Sequence, residues 1–187
     1  MDVTQDSPRS SDAGSAASRA ASVPAPFSGT LDDLLALDTD TLGILYQGAR
    51  VPQLADVRGD LRGRMLAVVD LPDALAGAVR VFAGSDLFPW RGKSFTPQTT
   101  ERGEGINRVI SDRWKLYRFE TFVGPSRAGS FDAVQLDYDL PSNPFFIRAI
   151  KDEIRELRPG LWLGQAWLNL AQPKLVLYFG LTTDGTR

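Results

Sequence analysis

The strongest constraint on the fold is a series of short segments, mostly after Trp90, in which apolar and polar residues alternate. Successive side chains of a β-strand point to opposite faces, so alternation between turn residues predicts a strand with one buried face. Seven such segments occur, at residues 61–69, 92–95, 106–111, 114–123, 131–139, 160–170 and 174–182. About seven strands are enough for an antiparallel sheet that curls into a barrel or half-barrel with an interior cavity.

Helical patterns stand apart from these strands, which indicates an α+β fold that is mainly antiparallel β. Thr30 can cap a short helix over residues 31–37, and a second helix begins at residue 39 or 40 and ends at Gly48. A third helix is predicted over residues 72–82, where a proline occupies the first turn.

One further helix is predicted inside the strand series, over residues 144–157. The Asn-Pro pair at 143–144 supplies a natural cap and first residue. Apolar residues then follow at spacings of three, four and three, which makes one helical stripe: Ile147, Ile150, Ile154 and Leu157. On such a helix Asp152 lies on the solvent side, spaced for surface ion pairs with Arg148 and Arg155. We therefore expect this helix to cover the sheet.

The first 28 residues differ in composition from the rest of the chain, since 16 of them are Ser, Ala or Pro. Such a stretch cannot bury enough apolar surface to offset its ordering entropy, so residues 1–28 are predicted to be a disordered tail that is dispensable for folding. Residues 29–187 are predicted to form a single β-rich domain. No run of about 18 apolar residues occurs, which argues against a membrane span.

The chain contains no cysteine and no histidine. Thiolate and imidazole chemistry are therefore excluded, including Ser-His-Asp and Cys-His catalysis and His-ligated metals. We expect no metal and no organic cofactor. The net charge of −2 gives no basic field to attract nucleic acid. The absence of cysteine suits a reducing compartment, which favours the cytoplasm.

One segment resembles a known group of proteins. The residues Trp90-Arg91-Gly92-Lys93-x-Phe95 are similar to the Trp-x-Gly-Lys-x-Phe segment of uncharacterised bacterial GXWXG-type domains, although Pro89 stands where the first Gly of that name is expected. The later order Tyr117-Arg118-Phe119, Leu136-Asp137-Tyr138-Asp139 and Leu163-Gly164 is similar to the companion domain of that family. The loose match covers residues 40–182. It implies a lipocalin-like, β-rich fold and transfers no catalytic residue.

Two strands offer polar groups beside aromatic surface. On strand 114–123, Trp114, Arg118 and Glu120 share a face. This charged pair either orients the polar end of an apolar ligand or lies in water while Tyr117 and Phe119 are buried instead.

On strand 160–170, one face carries the two amides Gln165 and Asn169 next to Leu163 and Trp167, and we interpret it as a cavity wall. The alternative is that both amides are solvated. The predicted ligand site therefore consists of Trp114, Arg118, Glu120, Gln165, Trp167 and Asn169.

Three further residues carry potential chemistry. Asp137 and Asp139 share a strand face and can act as an acid–base pair or bind a hard cation. The simpler interpretation places both in water, because the residues that alternate with them are apolar or aromatic. Lys93 lies among aromatic residues, where it either snorkels to solvent or acts as a desolvated base or Schiff-base amine.

Two classes of function remain. The first is lipocalin-like binding of a small hydrophobic molecule in a β-sheet cavity, favoured by the aromatic content and the alternating strands. The alternative is an isomerase- or cyclase-type enzyme that uses Asp, Glu, Arg or Tyr for proton transfer. No catalytic residue and no oligomeric state are assigned from the sequence.

Overall fold

The computed structural model describes residues 27–69, 90–109 and 114–185. Its strands are β1 (Gly59–Val68), β2 (Trp90–Pro97), β3 (Arg102–Val109), β4 (Lys115–Pro125), β5 (Asp132–Asp137), β6 (Ile150–Arg158), β7 (Leu161–Leu168) and β8 (Lys174–Thr182). Its helices are α1 (Leu31–Leu34), α2 (Thr39–Gly48) and α3 (Phe145–Arg148), with a single 3₁₀ turn at Leu54–Asp56. The predicted helix 72–82 and residues 1–26 of the predicted tail lie outside the described residues.

The strands form a closed antiparallel barrel in which each strand pairs with the next along the chain and β8 pairs with β1. The predicted fold class, mainly antiparallel β with N-terminal helices, is confirmed, and the sheet closes fully rather than as a half-barrel. Closure leaves none of the eight described strands with an unpaired edge.

The predicted helix over 144–157 is wrong beyond Arg148. Residues Ile150–Arg158 form β6, which is paired on both sides with β5 and β7. Ile150 and Ile154 are four apart, a spacing that places two residues on one face of a helix and also on one face of a strand. The charged residues Asp152 and Glu156 occupy the same inward face, so the apolar alternation that marks a strand is hidden.

The predicted place of Asp152 at the surface is wrong for the same reason. Its side chain points into the barrel, and the residue is only 5% exposed. It therefore makes no helical surface pair, and its ion-pair partner is Lys93 across the barrel interior.

The N-terminal helices cover part of the barrel wall. Thr30 and Asp33 form a reciprocal capping box on α1, and Asp38 caps α2. Both helices bury apolar side chains against the outward faces of β7 and β8, in a cluster that includes Leu31, Leu34, Leu42, Tyr46, Leu161, Leu163 and Tyr178. Phe27, the last large residue of the predicted tail, also packs against this cluster.

Aromatic rings fill part of the barrel interior. Phe119 and Phe179 lie across two glycines that face them from neighbouring strands. A Cβ atom on Gly105 would lie 2.4 Å from the Phe119 ring, and one on Gly164 would lie 2.2 Å from the Phe179 ring. Only glycine leaves room for these rings, which pack the middle of the interior, and the hollow end of the barrel begins at Phe179.

Ile154 tests the packing of the barrel interior, because its side chain is fully buried there. We expect Ile154→Ala to lower the free energy of unfolding by about 2–5 kcal/mol, as a buried large-to-small change does. The control is Phe145→Ala on α3, where the side chain is 84% exposed and the expected cost is within about 0.5 kcal/mol. Urea unfolding measures both, and equal costs would contradict the burial of Ile154 in the interior.

Candidate functional site

The hollow end of the barrel contains a cavity of about 240 Å³. It lies where β1, β3, β5 and β7 end and the following strands begin. Most of its wall is apolar or aromatic: Met65, Trp90, Val109, Tyr117, Ile147, Ile150, Ala166, Leu177 and Phe179. The remaining lining residues are polar: Lys93, Asn107, Tyr138 and Asp152. These four, which we call the polar cluster, are the candidate functional site.

Lys93 is the centre of the polar cluster. It faces inward from β2 and is only 2% exposed, so its ammonium group cannot reach solvent. Its Nζ atom donates to Asn107 Oδ1 at 2.8 Å, to the Tyr138 hydroxyl at 2.5 Å and to Asp152 Oδ2 at 2.9 Å. All three protons of the ammonium are therefore engaged.

The partners of Lys93 also bind one another. The Tyr138 hydroxyl donates to Asp152 Oδ2 at 3.0 Å and accepts from Asn107 Nδ2 at 3.1 Å. Asn107 Oδ1 accepts a second bond, from the Trp90 indole at 3.1 Å. The cluster is thus a connected network drawn from β2, β3 and β6 and from the chain just after β5, and its geometry is fixed by the barrel itself.

Aromatic rings surround the ammonium group. Lys93 Nζ lies 5.2–5.4 Å from the ring centroids of Trp90, Phe119 and Phe179. At that distance the negative faces of aromatic rings attract a cation, which partly offsets its loss of water.

Burial changes the acid–base behaviour of the cluster. Loss of hydration lowers the pKa of the Lys93 amine, and the neighbouring Asp152 carboxylate opposes part of that change. Burial, reinforced by the Asp152 charge, raises the pKa of the Tyr138 hydroxyl well above its usual value. Such shifted pKa values, here of a lysine amine and an adjacent tyrosine hydroxyl, are typical of functional sites in proteins.

The backbone is irregular next to the cluster. The pairing of β3 with β4 shifts between Ile106 and Asn107, and Tyr117 opposite has a φ of 60°. A non-glycine residue in this left-handed region is strained, and strained residues of this kind are concentrated at the functional sites of proteins. Here the bulge turns the Tyr117 side chain onto the cavity wall. The backbone carbonyl of Tyr117 accepts a hydrogen bond from Asn107 Nδ2 at 3.3 Å.

The six residues of the predicted ligand site do not come together at this cavity. Trp114 is 60% exposed, Asn169 is exposed beyond the end of β7, and Trp167 is half-buried. Arg118 and Glu120 are exposed on the outside of β4, where Arg118 lies 3.8 Å from Glu104. The structure therefore shows the alternative arrangement, with Phe119 buried and Tyr117 on the cavity wall.

Gln165 is buried, but on the outside of the barrel. It pairs with Tyr178 on β8 and hydrogen-bonds that side chain beneath α2. The predicted assignment of the two faces of β7 is thus inverted, because the face with Leu161 and Leu163 packs under helices and the face with Ala166 lines the cavity. The six residues do not share one site in the structure, and a binding role for them stays a prediction.

Other sequence expectations have mixed outcomes. Asp137 and Asp139 lie on the outer side of the barrel, as the simpler interpretation predicts. Asp137 forms an ion pair with Lys151, and Asp139 forms one with Arg148. The interpretation of Lys93 as a snorkelling surface residue is wrong, since its amine is inside the barrel.

Sequence reasoning missed the polar cluster for identifiable reasons. Lys93 was found by its aromatic setting, and Tyr138 was placed on the inward face of its strand. Asp152 is hidden by the incorrect helix, and Asn107, although it lies inside the predicted strand 106–111, carries no signal that links it to Lys93. The contact of Asp152 on β6 with Lys93 on β2 crosses the barrel interior, so it follows only from the closure of the barrel.

The described residues contain neither a membrane-spanning helix nor a metal-binding cluster. No helix in residues 27–69, 90–109 or 114–185 combines the length and apolar character needed to cross a bilayer. Within the same ranges, no three acidic side chains converge closely enough to hold a metal ion.

Comparisons with known proteins give little further information. The chain matches no model of a known protein family and no curated protein. One similar solved structure is a crystal structure of a protein from Thermomonospora curvata, with 21% sequence identity and a TM-score of 0.48. That match covers 78% of this chain and 87% of the other.

The ion pair at the centre of the cluster can be tested by a double-mutant cycle. Lys93→Met and Asp152→Leu alone each leave a buried charge without its partner, which costs about 3–5 kcal/mol. The double variant removes both charges, so we expect it to be more stable than either single variant. Denaturant unfolding of the four proteins measures the coupling, and additive costs would show that the two side chains do not interact.

Proposed function

We propose that this protein binds a small, mostly apolar molecule in the barrel cavity. The observation that carries the proposal is an apolar cavity with one localised polar cluster on its wall. Ligand sites typically combine such walls with a few fixed polar groups that set orientation. The polar cluster supplies those groups in a geometry that the strands hold rigid.

The size of the cavity restricts the ligand. A volume of about 240 Å³ lies just below the roughly 300–1,000 Å³ that is usual for small-molecule sites. We therefore propose a compact ligand, comparable to a one- or two-ring molecule, and not a long acyl chain.

The wider setting is proposed on sequence grounds. The net charge of −2 supports a partner other than nucleic acid, and the absence of cysteine supports a cytoplasmic location. Kinship with GXWXG-type, lipocalin-like proteins also stays a proposal, supported by the segment that contains Trp90 and Lys93.

A second candidate function is proton transfer on a bound molecule. It is favoured by the contact of the Lys93 amine with the Tyr138 hydroxyl and the Asp152 carboxylate. A lowered pKa makes the neutral form of the amine more accessible, and that form, unlike the ammonium, can take a proton from carbon, while a neutral phenol can donate to the oxygen that gains charge. This arrangement suits an isomerase-type reaction next to a carbonyl group.

Binding can be tested with naphthalene as an apolar probe of suitable size, followed by NMR of the tryptophan indole N–H groups. We expect the Trp90 signal to shift because this indole lies on the cavity wall, and the signal of Trp114 to stay in place because its side chain is exposed. Ala166→Phe should abolish the shift by filling the cavity, while Ala36→Phe, at an exposed position, should preserve it. A shift at Trp114 alone would favour the site predicted from sequence.

Catalysis can be separated from binding with 2-tetralone in deuterated buffer. NMR measures how fast the protons next to the ketone carbonyl of 2-tetralone exchange with solvent deuterium. Under the binding proposal, this rate is the same in the presence of the wild type and of Lys93→Met. If the wild type accelerates this exchange and both Lys93→Met and Tyr138→Phe abolish the acceleration, the result would favour the proton-transfer function over binding alone.

A further inference from the structure

One atom of the polar cluster has no partner. Asp152 Oδ1 is buried and accepts no hydrogen bond from the part of the chain that the structure describes, whereas Oδ2 of the same carboxylate accepts from both Lys93 and Tyr138. A buried carboxylate oxygen without a donor is costly, and Asp152 lines the cavity, so a donor group on a bound molecule would satisfy this oxygen.

The donors of the cluster are all occupied. Lys93 uses its three protons on Asn107, Tyr138 and Asp152. The Tyr138 hydroxyl donates to Asp152, the Asn107 amide to Tyr138 and to the Tyr117 carbonyl, and the Trp90 indole to Asn107. An incoming group therefore finds a free acceptor in the cluster and no free donor.

The geometry points to a ligand whose polar group is a hydrogen-bond donor, such as an alcohol or phenol hydroxyl on a compact apolar skeleton, bound through Asp152 Oδ1. This inference rests on the proposed binding function and names the chemical class of its ligand. The remainder of the ligand lies against the apolar wall that includes Ile150, Ala166 and Leu177.

The same reasoning argues against a carboxylate ligand. The positive charge of Lys93 is already balanced by Asp152 at 2.9 Å. An anionic ligand would bring a second buried negative charge beside Asp152 Oδ1 and would gain no free donor in return. A neutral acceptor such as an ether would also leave Asp152 Oδ1 unpaired.

The test compares ligands that share one ring system. The full-length protein is titrated near neutral pH with 1-naphthol, 1-methoxynaphthalene, naphthalene and 1-naphthoate, and dissociation constants are taken from the Trp90 indole shift. We expect 1-naphthol to bind at least about tenfold more tightly than 1-methoxynaphthalene, because only the hydroxyl donates to a charged acceptor. The weakest binding is expected for 1-naphthoate.

Asp152→Asn gives a complementary result. Its amide oxygen can replace Oδ2 as the acceptor for Lys93 and Tyr138, which turns an N–H donor toward the cavity in place of Oδ1. The preference for 1-naphthol over 1-methoxynaphthalene should then fall to about twofold or less. Asp137→Asn, on the outer side of the barrel, is the matched control and should preserve the wild-type ratio.

The wild-type series decides the matter even if Asp152→Asn does not fold. Equal binding of all four compounds would overturn the inference and leave the binding function in place. Tightest binding of 1-naphthoate would also overturn it, because Lys93 would then be the anchor. No binding by any of the four would overturn both.

Discussion

The interaction on which the site depends is the ion pair between Lys93 and Asp152, enclosed within the barrel. Removal of two charges from water costs several kcal/mol per ion, and their attraction seldom repays that cost beyond what an apolar pair would give. The pair is therefore a poor means of stabilising a barrel. Its hydrogen bonds to Asn107 and Tyr138 and its aromatic surroundings are better explained as a fixed polar group that orients a molecule in the cavity.

The barrel holds this pair by dividing its interior into two parts. In one part, the rings of Phe119 and Phe179 pack over glycines, and Phe179 also borders the cavity. In the other part, a backbone bulge at Tyr117 and smaller side chains such as Ala166 leave space. The polar cluster lies between the packed part and the hollow part, where one side of it contacts the aromatic rings and the other faces the cavity.

Sequence patterns predicted the features that depend on local alternation. Strand segments, the two N-terminal helices and the outward position of Asp137 follow from spacing within one element. The site did not follow, because inward and outward faces of β7 are both apolar: one lies under α1 and α2 and the other lines the interior. Asp152 was misplaced because a charged residue on an inward face contradicts the pattern used to recognise a strand, and only its partner across the barrel explains it.

The central claim is that the amine of Lys93 lies inside the barrel and is desolvated beside Asp152. A lysine-selective NMR titration of the folded protein, with Lys93→Arg to assign the signal, tests it most directly. The account predicts that Lys93 titrates with a pKa below the ordinary value of 10.5, because burial disfavours its charged form. A pKa at or above 10.5 would contradict the account, since the amine would then be in water or stabilised as a surface cation.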